Sequence, residues 1–323
     1  MDTLSSNSSK SKSCSTIINV TPKQIQRTTV RSIHVTLTNF PEHSGNVLCE
    51  FSFANKTLTT EATRSRSRVS CPTPLTDSIP AIPSGEHNIT AQLSVRPTNG
   101  SDFVSTSFVF FECSSFSSCT QCVSSDFPCD WCVVAHRCTH DTAENCHNDV
   151  LVQGVSREGP SFRKGPGFCP AIVGTRSGSR EILVADNSKK AVRAKVHIIG
   201  QFIAGARFVC EFNIEGKKAR VNGQLLADTI YCDVMEFNYT SKHSNINASF
   251  SILWDGGVKP LDNPDNIYVN IYRCHNLADT CGLCLTLDEK YGCGWCESSN
   301  SCEILEQCNK GLGTWIKKNV TCT

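Results

Sequence analysis

Long apolar runs, net charge of either sign and helical periodicity are all scarce in this chain. None of its 323 residues falls in an apolar stretch of about 18 or more, so no helical membrane span is expected. Lys and Arg number 31 against 30 Asp and Glu, a formal net charge of +1, which supplies no electrostatic footprint for nucleic acid. Only two methionines and four tryptophans are present, and no sustained i, i+3, i+4, i+7 apolar stripe marks a helical protein. The opening residues, Met1 to Lys10, lack the apolar h-region of a secretory signal. The chain therefore reads as an interior piece of a longer secreted or membrane-anchored protein, or as an incomplete gene product. Catalytic signatures are missing as well: there is no phosphate-cradling glycine loop, no HExxH and no Gly-x-Ser-x-Gly, and Gly165-Pro-Gly167 reads as a turn. Neither enzymatic activity nor a cofactor is expected.

Cysteine, by contrast, is abundant, with 21 residues. Cys49, Cys71 and Cys113 recur as Cys210, Cys232 and Cys274 with both internal spacings unchanged. The run Cys119-x2-Cys122-x6-Cys129-x2-Cys132-x5-Cys138 is answered by Cys281-x2-Cys284-x8-Cys293-x2-Cys296-x5-Cys302. Two wider-spaced cysteines close each run, Cys146 and Cys169, then Cys308 and Cys322. The chain is a tandem duplication with ten cysteines per copy and Cys14 left over. So many thiols are a liability in a reducing cytosol and a framework in an oxidising compartment. Acceptor triplets for N-glycosylation at Asn7, Asn19, Asn55, Asn88, Asn99, Asn238, Asn247 and Asn319 point the same way.

Between the cysteines run short alternating apolar stretches: Val30 to Leu37, Val47 to Phe53, Arg68 to Cys71, Ile89 to Val95 and Val104 to Phe111. The second copy repeats the rhythm in Ile182 to Val184, Val192 to Ile199, Arg207 to Phe212, Ala219 to Asn222, Thr229 to Cys232, Ser249 to Trp254 and Ile267 to Arg273. Pro, Gly, Asn and Ser clusters separate these stretches, as in a β-sandwich. The expected fold class is all-β and disulfide-rich, with two immunoglobulin-like sandwiches alternating with two small cysteine knots. Residues 1–16 form a Ser/Lys-rich disordered tail, 17–112 and 171–273 the sandwiches, 113–170 and 274–323 the knots. Cys49 and Cys71, like Cys210 and Cys232, lie in successive strand-like stretches and are expected to bridge neighbouring strands. Closing such a loop contributes about 3 kcal/mol in the chain-entropy account. Segments as short as the knots depend on staples more than on hydrophobic cores. Their eight cysteines allow 105 pairings, which spacing leaves open. Trp131 and Trp295 hold matching places in Cys-x-Trp-Cys, a knot packed around one ring.

The stretches Cys113-Ser-Ser-Phe-Ser-Ser-Cys119-Thr-Gln-Cys122, Phe127-Pro-Cys129-Asp-Trp-Cys132 and His136-Arg-Cys138-Thr-His, with Cys281-Gly-Leu-Cys284 and Cys293-Gly-Trp-Cys296, resemble the PSI domain. The sandwiches look like IPT, or TIG, domains. Their alternation is similar to that in the plexin family, and Asp262-Asn-Pro-Asp-Asn266-Ile before Cys274 further resembles the class A members. The resemblance implies knot pairings Cys113–Cys129, Cys119–Cys169, Cys122–Cys138 and Cys132–Cys146. In the second knot it implies Cys274–Cys293, Cys281–Cys322, Cys284–Cys302 and Cys296–Cys308. Cys14 stays unpaired, in the place of the last cysteine of a preceding PSI domain. The family's semaphorin-binding propeller, transmembrane helix and cytoplasmic GTPase-activating domain have no counterpart in this sequence.

What the resemblance implies is an extracellular stalk segment of a plexin-like semaphorin receptor, a spacer and orienting element in semaphorin signalling and axon guidance. Its partners would be the remainder of such a receptor and, only indirectly, semaphorin or co-receptor ectodomains. The location is the outer side of the plasma membrane, or the secreted state. Each sandwich runs straight into a knot, as Phe110-Phe111-Glu112-Cys113 and Ile271-Tyr272-Arg273-Cys274, and a joint without a linker is stiff. Cys169-Pro170 makes a short exit, and Gly174 to Arg180 is either a hinge or a surface turn. The alternative is a free-standing secreted binding or matrix protein. A third class, an intracellular zinc adaptor, draws on the Cys-x2-Cys pairs but conflicts with the duplicated frame. His136, His140 and His147 read as exposed loop residues rather than metal ligands. Arg64, Arg66 and Arg68 alternate with serines, so that one strand would present all three on one face as a polyanion contact, or simply as a solvated face.

Overall fold

The structure is a computed structural model of the chain and describes residues 14–40, 45–100, 104–308 and 314–317. The first sandwich contains β1 (Thr16–Thr21), β2 (Gln24–Gln26), β3 (Ser32–Thr38), β4 (Val47–Ser52), β5 (Thr57–Ser65), β6 (Arg68–Pro72), β7 (Asn88–Pro97) and β8 (Val104–Phe111). Period-two alternation decides which side chains face inward. Ile33, Val35 and Leu37 of β3 and Val47, Cys49 and Phe51 of β4 are buried, and their neighbours are not. Phe51, Phe108 and Phe110 pack together with ring centroids 5.2–6.0 Å apart. Strand order is β1-β3-β6-β5-β4-β7-β8-β2. β5 changes partner along its length, pairing with β4 through Thr57–Ala62 and with β6 through Thr63–Ser65, and so folds one continuous sheet into two layers. No residue of β5 is fully buried, which is why no apolar alternation marks it in the sequence.

The first knot holds helix Cys119–Ser124 and a three-stranded sheet of β9 (Asp130–Cys132), β10 (Arg137–Thr139) and β11 (Leu151–Val152), in the order β10-β9-β11. The Ser118 hydroxyl caps the helix by accepting from Gln121 N at 3.3 Å. The second sandwich repeats the first with β12 (Ala171–Thr175), β13 (Glu181–Ala185), β14 (Ser188–Lys190), β15 (Arg193–His197), β16 (Phe208–Ile214), β17 (Lys217–Leu226), β18 (Thr229–Cys232), β19 (Met235–Phe237), β20 (Asn245–Trp254), β21 (Lys259–Pro260) and β22 (Tyr268–Tyr272). Its main sheet runs β12-β15-β18-β17-β16-β20-β22-β13, the order of the first sandwich with β13 in the place of β2. The second knot has helix Cys281–Thr286, capped by Thr280, and β23 (Cys293–Cys296), β24 (Ser301–Ile304) and β25 (Trp315–Ile316).

Among the described residues nine disulfides form. Cys49–Cys71 and Cys210–Cys232 join β4 to β6 and β16 to β18. These are not neighbouring strands: β5 and β17 lie between them in the sheet, and each bridge crosses from one layer to the other. The first knot pairs Cys113–Cys129, Cys119–Cys169, Cys122–Cys138 and Cys132–Cys146. The second pairs Cys274–Cys293, Cys284–Cys302 and Cys296–Cys308. Cys281 is also disulfide-bonded; Cys322, its expected partner, lies outside the described residues. Cys14 is free and exposed.

The disulfides of the knots are supplemented by apolar packing that reaches into the second sandwich. Phe116, Val123, Trp131, Val133 and Val152 of the first knot belong to one buried cluster with Ile172, Phe212, Trp254 and Ile271 of the second sandwich. The second knot likewise packs around Ala185 and Tyr272 of that sandwich. A fifty-residue segment has too little interior of its own, so each knot shares one with its neighbour.

Candidate functional site at the domain junctions

Where the first sandwich meets the first knot, Gln26 ends β2 and is 4% exposed. Its Oε1 accepts from Cys113 N at 3.1 Å while its Nε2 donates to the Glu112 carboxylate. Phe111 stacks on Phe127 with centroids 4.9 Å apart, and His87 stacks on Phe116 at 3.9 Å. Thr29 Oγ1 lies 3.3 Å from His140 Nε2. Burial, outweighing the nearby Asp141 and Glu112 carboxylates, holds the His140 pKa below its ordinary value.

At the second junction Asp262 is buried beside helix Cys119–Ser124 and its Oδ2 accepts from Thr120 N at 2.6 Å and Thr120 Oγ1 at 2.7 Å. The Asp262 backbone binds the chain leaving the knot, donating to Pro170 O at 3.0 Å and accepting from Ile172 N at 2.7 Å. Lys259 Nζ donates to Val134 O at 2.8 Å. The His136 ring sits edge-on between Trp131 and Trp254, at centroid distances of 5.0 and 6.3 Å. Burial lowers its pKa; Asp262 acts in the opposite direction and Lys259 in the same one.

At the third junction Asp186 Oδ2 receives Arg273 Nε at 2.6 Å. The Arg273 guanidinium also donates to Ser241 O and Tyr239 O, and it lies over the Tyr239 ring at 3.9 Å. The hydrogen bond to Asp186 is the main cause of a raised Arg273 pKa. Gln307 of the second knot donates to Asp186 O at 2.6 Å. Tyr272 OH donates to Tyr291 O, and burial pushes the Tyr272 pKa up to about 12.

Sandwich, knot, sandwich and knot are each recognised by a domain family. Residues 21–111 match a TIG domain, 119–146 the plexin A/B PSI domain, 180–272 the TIG domain found in plexin, and 273–323 the plexin repeat. Plexin A3 of Danio rerio is 30% identical over 316 residues, 95% of this chain and 16% of that protein. Plexin-A2 of Homo sapiens is 29% identical over 300 residues, 91% of this chain and 15% of that protein. The chain is homologous to the plexin extracellular region. It superposes on the plexin A4 full extracellular region, domains 1 to 10, with a TM-score of 0.72 at 27% identity, covering 96% of this chain and 26% of that one. It thus spans about a sixth of the length of the curated plexins it matches.

In this plexin-type array the residues singled out from sequence are distributed unevenly. Arg64, Arg66 and Arg68 do not share a strand face: Arg64 is the next-to-last residue of β5 and pairs with Val69, Arg66 occupies the turn at φ +52°, and Arg68 opens β6 opposite Ser65. A hairpin turns at the point where the sequence alternation suggested one strand, and Arg64 lies over the Phe40 ring at 4.0 Å. His136 and His140 are half-buried at two different junctions rather than exposed, whereas His147 is exposed. Gly174 and Thr175 belong to β12, and the Thr175 hydroxyl closes the following turn on Ser179 O at 2.6 Å, so this segment is a surface turn. Asn19, Asn55, Asn99, Asn238 and Asn247 are exposed, Asn88 is half-buried, and Asn7 and Asn319 lie outside the described residues. Sequence reasoning did not single out Gln26, Glu112, Asp186 or Lys259. One signal lay in the duplication, since Glu112 and Arg273 hold the same place in the repeated frame, each directly before the first cysteine of a knot.

Proposed function

We propose that the chain is a stiff stalk segment of a semaphorin-receptor ectodomain, a spacer that fixes the orientation of the domains on either side. Its work is mechanical rather than catalytic, and it is done on the outer side of the plasma membrane. One observation carries the reading: the first knot and the second sandwich share a single buried core, locked by the Asp262–Thr120 hydrogen bonds. Independent binding modules need no such continuity, because interfaces between mobile domains are smaller and more polar. The proposed domain limits are 17–112, 113–170, 171–273 and 274–323. Asn19, Asn55, Asn88, Asn99, Asn238, Asn247 and Asn319 are proposed glycan acceptors, and Cys281–Cys322 is the proposed closing bridge of the second knot.

Small-angle scattering on the full chain, expressed through the secretory pathway, tests the reading. One rigid envelope is expected to fit the native protein. Asp262→Ala leaves the two Thr120 donors without their acceptor, a loss of about 1–3 kcal/mol, and is expected to broaden the distance distribution. Native data that required free rotation about Pro170 would overturn the spacer role.

A further inference from the structure

Two cavities join into a trough on the open side of the second sandwich. The first, about 780 Å³, lies between the turn after β12, strand β13 and the link from β14 to β15, with Lys290 of the second knot at its rim. The second, about 470 Å³, is bounded by β15 and β18 and shares Arg176 and Arg193 with the first. Five cations line the pair: Arg176, Lys190, Arg193, Lys195 and Lys290. Glu181 is the single carboxylate of the lining, and it is already engaged, accepting from Asn270 Nδ2 at 2.5 Å and pairing with Lys290 at 3.4 Å. The whole chain carries a formal charge of only +1, so the trough concentrates positive charge that composition does not reveal. Lys190 donates to the Leu183 carbonyl at 2.5 Å rather than to a carboxylate. Burial lowers its pKa, and the Glu306 carboxylate acts in the opposite direction.

We propose that this trough binds a sulfated polysaccharide of the glycosaminoglycan type, laid across the second sandwich toward the second knot. A single phosphate or carboxylate is best held by donors converging in a closed pocket, whereas cations spread along an open trough match a chain of repeated anionic groups. The hydroxyls of Ser177 and Ser179 stand among the cations as partners for sulfate and sugar oxygens, the Thr229 hydroxyl already donates to Asp228 Oδ1 at 2.9 Å, and Ile182, Leu183, Ala191 and Val192 give the first cavity an apolar lining. An acidic peptide fits less well. It would bind best as an added strand on the edge of β13, and Lys190 occupies the Leu183 carbonyl there.

The test is heparin oligosaccharide binding to the full chain at about 0.15 M salt, repeated over a salt series. Arg176→Ser/Arg193→Ser/Lys195→Ser is compared with Arg64→Ser/Arg66→Ser/Arg68→Ser, each checked by non-reducing peptide map. About tenfold or greater loss, with a shallower salt dependence, is expected for the trough variant. The hairpin variant is expected to bind like the native chain. If the triple substitution disturbs folding, Lys195→Glu, at an exposed position of β15, carries the same expectation. Undiminished binding by the trough variants, an equal loss in the hairpin variant, equal binding of desulfated heparin, or equal competition by polyglutamate would each overturn the proposal. None of these outcomes bears on stiffness, which scattering reads separately.

Discussion

A missing Cβ at position 223 decides how closely β17 can lie against β16. A methyl group there would stand 3.1 Å from Ile230 Cγ2, 3.2 Å from Cys210 Sγ and 3.4 Å from Phe208 Cβ. The sulfur is fixed by its bridge to Cys232 and cannot retreat. The first sandwich manages the same crossing differently: Ala62 faces Val47, whereas Gly223 faces the larger Phe208. Gly223→Ala is therefore expected to cost about 1–3 kcal/mol, read as a lowered Tm in thermal unfolding. Gly282→Ala is the control. Its added methyl meets nothing within 4 Å on an exposed helical position, and a neutral or raised Tm is expected.

The elements that matter most are strand ends. β2 and β13 are short strands paired in parallel with β8 and β22, the last strands of their sandwiches. Each therefore delivers the residue that follows it to the point where the chain enters a knot: Arg27 N donates to Phe111 O at 2.7 Å and Asp186 N to Tyr272 O at 2.8 Å. Arg27 and Asp186 stand at that position beside Glu112, at 3.9 Å, and Arg273, at 2.6 Å, so one ion pair recurs with its charges exchanged at the same place in the duplicated frame. The junction between the first knot and β12 has a different chemistry, an imidazole between two indoles. The folded state lowers the His136 pKa below the unfolded value of about 6.5, so the native protein binds fewer protons than the unfolded chain in the window between the two. Stability from this group is complete above that window and is lost as pH falls through it. Chemical denaturation of the native chain at pH 7.5 and 5.5 is expected to show the lower midpoint at 5.5, and His136→Phe to narrow the difference. An unchanged difference in His136→Phe would assign the acid sensitivity elsewhere, with His140 the next group to test.

At the scale of the whole molecule, the shared cluster makes the first knot and second sandwich one folding body, while the first sandwich keeps a core of its own. Loss of the Cys119–Cys169 bridge, which ties the knot's helix to the exit toward β12, would therefore reach beyond the knot itself. Cys14 stands outside every such unit, exposed and free. Alkylation of the native, unreduced protein is expected to label about one thiol per chain, or else the chain runs as a reducible dimer, because an unpaired exposed cysteine either reacts or links. Cys14→Ser should abolish the label or the dimer without shifting Tm. A second labelled cysteine would mean that one knot is incompletely closed.

The repeat, the β class and the alternation of sandwich and knot were legible in the sequence, because a duplicated cysteine spacing and period-two runs such as Ile33-His34-Val35-Thr36-Leu37 are local signals. β5 escaped, since a strand that changes sheets along its length buries neither face fully. The layer-crossing of Cys49–Cys71 escaped for the same reason: cysteine spacing gives loop length, not the strand that comes between. Arg64, Arg66 and Arg68 suggested one face from alternation alone, and a two-residue hairpin turn separated them. Asp262, His136 and Lys259 became a junction only when the knot docked on the β20–β21 hairpin. The cations of the trough come from turns, strands and a second domain that no periodicity links. Contacts of that kind are set by burial between distant segments, and tertiary packing alone decides them.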